Sequence, residues 1–335
     1  GLSYDGLLYK MHDQGNGWFI DMGLSWNNNG TLHGEVRNAD WTGEKLKTLN
    51  FINFKKNHNN SFSVSAFFSL AGRDYPAIDK LFATGTHGLI LDYNDGGNGV
   101  FGYLSGYYQH GTDSKKGPND DYRDISAYLV TGELGYRAPA KKWELAAGAE
   151  LISGHDYSNT GTDYANTRHS FDLLYSARFP YYGGNMNHFI MQDSYKTGTK
   201  GGGYFDPYLR FSFKPGKKNS LTVTWWSPYL TTDVPAHNSI DPVSGLPSET
   251  ETNAAGNTVY WNGNLGDYID VGFTQRINPD VVLKSGFSVG SISDIKNQMV
   301  FGYQNVEAKK LFETGTNYIG WVMLIVKPNF LTVNN

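Results

Sequence analysis

The sequence predicts an all-β protein, a transmembrane antiparallel β-barrel, on three observations. Apolar and polar residues alternate with period two in segment after segment. Aromatic residues recur at both ends of such segments, and short connections alternate with long ones along the chain. Composition agrees: of 335 residues only 18% are charged and 15% are aromatic, with 40 Gly and 23 Tyr, a mixture suited to strands and turns. Mean hydropathy is −0.47. No run approaches the roughly 18 apolar residues of a spanning helix, so any bilayer crossing is made by strands.

The clearest strand is Trp18 to Trp26, where Trp18, Ile20, Met22, Leu24 and Trp26 share one face and Asp21, Gly23 and Ser25 the other. Its two Trp stand roughly 26 Å apart along the strand, close to the height of a barrel's apolar band, and Trp is the residue expected at both edges. Tyr128 and Tyr136 repeat that spacing, so Trp18, Trp26, Tyr128 and Tyr136 are read as membrane-interface aromatics. The same alternation marks Phe62 to Leu70 against Ser63, Ser65 and Ser69, Trp143 to Leu151 against Glu144 and Glu150, and Leu209 to Phe213 against Arg210 and Ser212. Further strands are expected near Leu2 to Tyr9 and at Leu46 to Lys55, Leu81 to Tyr93, Gly99 to Tyr108, Leu221 to Tyr229, Leu265 to Arg276, Val281 to Val289 and Tyr318 to Lys327. The period-two criterion gives about thirteen in all.

Short turns fall at Met11 to Asn16, Lys56 to Asn60, Asn94 to Asn98, Ala138 to Lys141, Lys214 to Lys218 and Ile277 to Pro279. Between them lie longer connections at Asn27 to Lys45, Ala71 to Lys80, Gln109 to Arg123, Ser153 to Gly203, Pro228 to Gly256 and Ser291 to Thr316. Outer-membrane barrels sort their connections in this way, with short turns periplasmic and long loops outside, whereas a soluble sandwich does not. Residues 1–335 are therefore expected to form a single barrel domain, with 153–203 as a long outer or pore-occluding loop. An odd strand count with both end strands running toward the periplasm implies strands upstream of Gly1.

Phe171-Asp-Leu-Leu-Tyr175, then Phe179, Tyr181-Tyr-Gly183 and Met186-Asn-His-Phe189, resemble the loop signature of the alginate-export family. Gly203 to Arg210, Leu265 to Asp270 and Trp321 to Phe330 continue the resemblance in order through roughly the last two thirds of the chain. The departures are Ala177-Arg178-Phe179, where that family carries a small-His-Lys stretch before its aromatic, and Asn187 in place of Asp. The resemblance implies an outer-membrane barrel of about eighteen strands, lacking its N-terminal ones here, whose loops partly occlude the pore.

The phase opposite the aromatics is expected to face the lumen. It holds Arg137, Arg210, Arg276 and Lys284 together with Asp21, Glu133, Glu144, Glu150, Asp206 and Asp270. Charge rings of this kind tune ion passage, and the sharper expectation is a local basic constriction of Arg210, Arg276 and Lys284; the bland one is a hydrated wall of mixed charge. Phe171, Tyr175, Phe179, Tyr181, Tyr182 and Phe189 are expected to cap the mouth or fold inward.

Other chemistry is not supported. Glu144 and Glu150 lie about 20 Å apart along a strand, beyond the reach of paired-carboxylate catalysis. His155, His169 and His188 lack zinc-site spacing and are read as solvated loop histidines. With no Cys, a net charge of −4 and no phosphate-loop order, neither a catalytic constellation, a cofactor, a metal site nor nucleic-acid binding is expected. The expected partners are outer-membrane lipid of a Gram-negative bacterium and small hydrophilic or anionic solutes. The alternative is a plugged barrel binding an envelope protein through the acidic stretch Asp241 to Glu251.

Overall fold

A computed structural model of the chain describes residues 5–13, 15–26, 45–59, 61–75, 80–94, 96–116, 121–171, 202–236, 252, 255–295 and 316–326. They form one antiparallel sheet in which consecutive strands are hydrogen-bonded neighbours. In order these are β1 (Asp5–Asp13), β2 (Trp18–Trp26), β3 (Lys45–Asn57), β4 (Phe62–Tyr75), β5 (Lys80–Tyr93), β6 (Gly99–Lys116), β7 (Tyr122–Arg137) and β8 (Trp143–Ile152), followed by β10 (Tyr204–Phe213), β11 (Asn219–Trp226), β14 (Gly266–Asn278), β15 (Val281–Ile292) and β16 (Thr316–Val326). These thirteen strands match the thirteen read from the sequence. Off this path lie β9 (Thr167–Arg168), parallel to β7, and the hairpin β12 (Tyr229–Pro235) and β13 (Tyr260–Asn264). Helix is confined to α1 (Thr162–Ala165), a 3-10 turn at Pro139–Lys141 and a single turn at 294–295 among the described residues.

The polarity of the sheet is inverted relative to a water-soluble protein. Leu134 is 66% exposed, Val322 75% and Leu7 69%, while Ser63, Ser65, Ser69, Thr86, Ser105 and Ser288 are all buried. Burying hydroxyls and leaving Leu and Val outside is costly in water and favourable in lipid. Trp18, Trp26, Tyr128 and Tyr136 all stand exposed on the apolar face, Trp18 beneath the ammonium of Lys56.

Three sequence expectations are corrected here. The connections expected at Ala71 to Lys80 and Gln109 to Arg123 shorten to 76–79 and 117–121, because β4 to β7 keep pairing beyond the apolar band. The long excursions are there, but as hairpin rather than loop. Leu221 to Tyr229 is not one strand: Pro228 has no N–H to donate to a ladder, and the chain breaks there into β11 and β12.

Thirdly, the longer connection expected from Pro228 to Gly256 begins as strand, with β12 occupying Tyr229–Pro235. β12 and β13 extend the β11–β14 hairpin past a bend, where Leu265 N–H donates to the Pro228 carbonyl at 2.8 Å. Gly266 turns the second arm with φ of 128°, and a Cβ there would stand 2.1 Å from the Ser291 carbonyl oxygen. Beyond the bend the hairpin packs Leu230, Val234, Ala236 and Trp261 against Leu129, Ile152, Tyr204 and Tyr268 of the polar side of the sheet. This is the apolar core of the described chain.

Candidate pore wall and outer mouth

The cross-strand registers place the expected lumen residues on one face. Glu133 lies opposite Gly148, and Gly148 opposite Tyr208. Arg137 lies opposite Glu144, which lies opposite Ser212. Asp206 is opposite Glu150, and Arg210 opposite Thr224, which is opposite Asp270. Because directly paired residues share a face, Glu133, Arg137, Glu144, Glu150, Asp206, Arg210 and Asp270 stand together, on the side away from the exposed Leu and Val.

They form three levels. Next to the short turns, Glu144 Oε1 accepts from Arg137 Nε at 3.2 Å and from Lys214 Nζ at 2.9 Å. Arg137 also donates to Asn94 Oδ1 and the Gly97 carbonyl, which ties one turn to the next. In the middle, Arg210 grips Glu133 with two donors, Nη2 to Oε1 at 2.6 Å and Nε to Oε2 at 3.2 Å, and Tyr208 Oη donates to the same carboxylate at 2.9 Å. The Tyr208 ring lies over Gly148, where a Cβ would come within 2.4 Å of its Cζ; a larger residue there would push the phenol away from the sheet. Nearer the mouth, Tyr204 Oη donates to Asp206 at 2.7 Å, while in the row of Arg210 itself Ser288 Oγ donates to Asp270 at 2.5 Å.

Arg210, Arg276 and Lys284 do not gather into a constriction. The row through Arg210 crosses β14 at Asp270 and β15 at Ser288, about 20 Å along the strand from Arg276 and about 13 Å from Lys284. Arg210 is moreover neutralised by Glu133, and Arg276 is exposed at the end of its strand. Of the residues expected to occlude the pore, Phe171 joins the mouth core, its N–H donating to the Ser153 carbonyl at 3.1 Å. Tyr175, Phe179, Tyr181, Tyr182, Phe189 and His188 lie outside the described residues, as do Asp241 to Glu251.

The mouth holds a second cluster that sequence reasoning missed. Arg123 Nη2 donates to Asp113 at 2.7 Å, and Arg168 Nη1 approaches the other carboxylate oxygen at 3.5 Å. His155 and His169 stack beside them around Tyr164, with Tyr164 and His169 ring centroids 4.1 Å apart. His155 is 6% exposed, so the expectation of a solvated loop histidine is corrected. Burial, then the positive charge of Arg123, brings its imidazole down to about 4, and burial lowers His169 as well. Burial raises the Tyr164 phenol. The available signal was the number of aromatics along the whole Ser153 to Gly203 connection, Tyr157, Tyr164 and Phe171 among them, too many for a disordered tract.

No family model matches the chain, and no curated protein matches it. Solved structures do. A double variant of OccD1 (OprD) aligns at a TM-score of 0.44 with 11% identity, over 92% of this chain and 66% of that one. The FrpB iron transporter of Neisseria meningitidis, in its F5-1 variant without ligand, aligns at 0.41 with 10% identity, over 89% of this chain and 47% of that one. Its F3-3 variant aligns at 0.40 with 11% identity, over 89% and 45%. The chain thus spans just under two thirds of the first and less than half of the others.

Proposed function

We propose that the protein is an outer-membrane channel for weakly selective, passive passage of small hydrophilic solutes, anionic ones included. The observation that carries this reading is the inversion of polarity: a face of Leu, Val and Trp suited to lipid, backed by a face whose charges are paired with one another. A wall lined with Arg210–Glu133 and Arg137–Glu144 pairs keeps water without presenting a strong field of either sign, which favours weak selectivity over a basic filter. An alginate-export-like cargo rests on the loop and strand motifs alone. A second reading, a plugged barrel that serves as an assembly partner, draws on the apolar core packed at the mouth.

Planar-bilayer recording separates the two. The channel reading expects steady conductance with a reversal potential near zero in a salt gradient; a silent barrel favours the plug. Glu133→Gln leaves the Arg210 guanidinium without its counter-charge, so selectivity should move toward anions. An unmoved reversal potential in an open channel would remove this pair from the pore wall.

A further inference from the structure

We propose that the outward face of the barrel carries a two-histidine site for a divalent transition-metal ion at the level of the outer membrane interface. His87 of β5 and His110 of β6 are diagonal neighbours on the exposed side of the sheet, since Gly85 pairs with His110 and His87 with Tyr108. Their Nε2 atoms stand 2.6 Å apart, and the rings stack at 4.8 Å between centroids. Gly85 provides the space. A Cβ on it would lie 2.6 Å from His110 Nε2, so any other residue would lift that imidazole away from its partner. Phe68 packs edge-on against His87 at 5.3 Å and holds the other ring.

The register sets the height. Tyr128, an exposed aromatic of the upper girdle, pairs with Tyr108, and Tyr108 with His87; His110 stands two residues farther toward the outer loops. From Tyr93 at the lower edge to Gly85 is eight residues, about 26 Å, the full height of the apolar band. Both imidazoles thus reach the hydrated headgroup layer, where neither burial nor hydrocarbon excludes an ion.

In the empty pair one Nε2–H donates to the other Nε2. Moving that proton to Nδ1 of the same ring turns both Nε2 lone pairs toward one point without net proton release. Bonds of about 2.0–2.1 Å to a tetrahedral ion require the nitrogens to stand about 3.3 Å apart, a separation that small side-chain rotations of two exposed residues supply. Paired imidazoles prefer Cu(II), Ni(II) or Zn(II) to the hard ions that bridge headgroup phosphates. Among the described residues no group of three or more His, Cys, Asp or Glu could hold a metal, so water completes the coordination.

Copper(II) titrated into the purified protein in detergent tests the site. One equivalent should bind with the electron paramagnetic signature of two nitrogen ligands. His87→Phe and His110→Phe, which keep the outward surface apolar and the rings planar, should each weaken binding by roughly ten-fold or more. Gly85→Val should weaken it with both imidazoles still present. Absence of bound copper, or wild-type affinity in either Gly85→Val or the double Phe variant, overturns the proposal. Conductance is a separate readout, so the channel reading stands or falls independently.

Discussion

The sheet within the apolar band and the mouth above it obey opposite rules. In the band, Leu134, Leu145 and Val322 point outward while Ser65, Ser105 and Ser288 are buried. Toward the outer ends of the same sheet, Leu129, Ile152 and Tyr268 turn the apolar side inward and pack with Trp261 and Val234 of the bent hairpin. The difference marks where the solvent changes. Lipid rewards apolar surface on the outside, whereas at the mouth water surrounds the chain and the hydrophobic effect gathers apolar side chains inside. Pro228 and Gly266 sit at that boundary, and the backbone bends there.

Exchanging one rule for the other at single positions tests this contrast. The largest effect is expected for Trp261→Ala, which empties a 2% exposed site in the mouth core and should cost roughly 3–5 kcal/mol of local stability. Hydrogen exchange should show the loss in β12 and β13 with β3 to β5 unchanged, and single-channel conductance should rise. Unchanged conductance would mean that this core does not narrow the pore. Leu134→Arg places a charge on the lipid side and should cost about 2–4 kcal/mol, measured by urea unfolding from lipid vesicles. The same variant should be nearly neutral if that face met water.

The contrast also explains what the sequence disclosed. Band strands were legible because two different solvents on two faces impose strict alternation: Trp18 to Trp26 coincides with β2, and Trp143 to Leu151 falls one residue short of β8. The mouth was not legible. Leu230, Val234, Trp261 and Leu265 come from two arms separated by a long connection, with no common period to join them. Alternation runs on across Pro228 from Leu221 to Tyr229, while the missing N–H of Pro228 ends the ladder there. Phase alone puts the wall charges on the face opposite the exposed Leu and Val, and the registers gather Glu133, Glu144, Glu150, Asp206 and Arg210 on that one face. Their pairing was hidden, because Glu133 and Arg210 are 77 residues apart and meet only through Gly148 on the strand between them.

The smallest effect is the one most particular to the mouth. His155 is neutral in the packed loop, its imidazole brought down to about 4 by burial and by Arg123, whereas an unfolded histidine titrates near 6.5. Because the opened loop binds the proton more readily, the contribution of His155 is fully present above about pH 6.5 and is lost as pH falls from there toward about 4. Protection of the amides of Ser153 and Phe171, which donate to the Tyr128 and Ser153 carbonyls, should decline over that window. Amides of Phe62 to Phe68 in β4 and of His87 to Tyr93 in β5, within the band and away from His155, should keep theirs. In His155→Gln the decline should flatten, since the amide takes up no proton. A decline of the same size in that variant would transfer the pH sensitivity to His169 or another group and separate it from the buried imidazole at the centre of the loop.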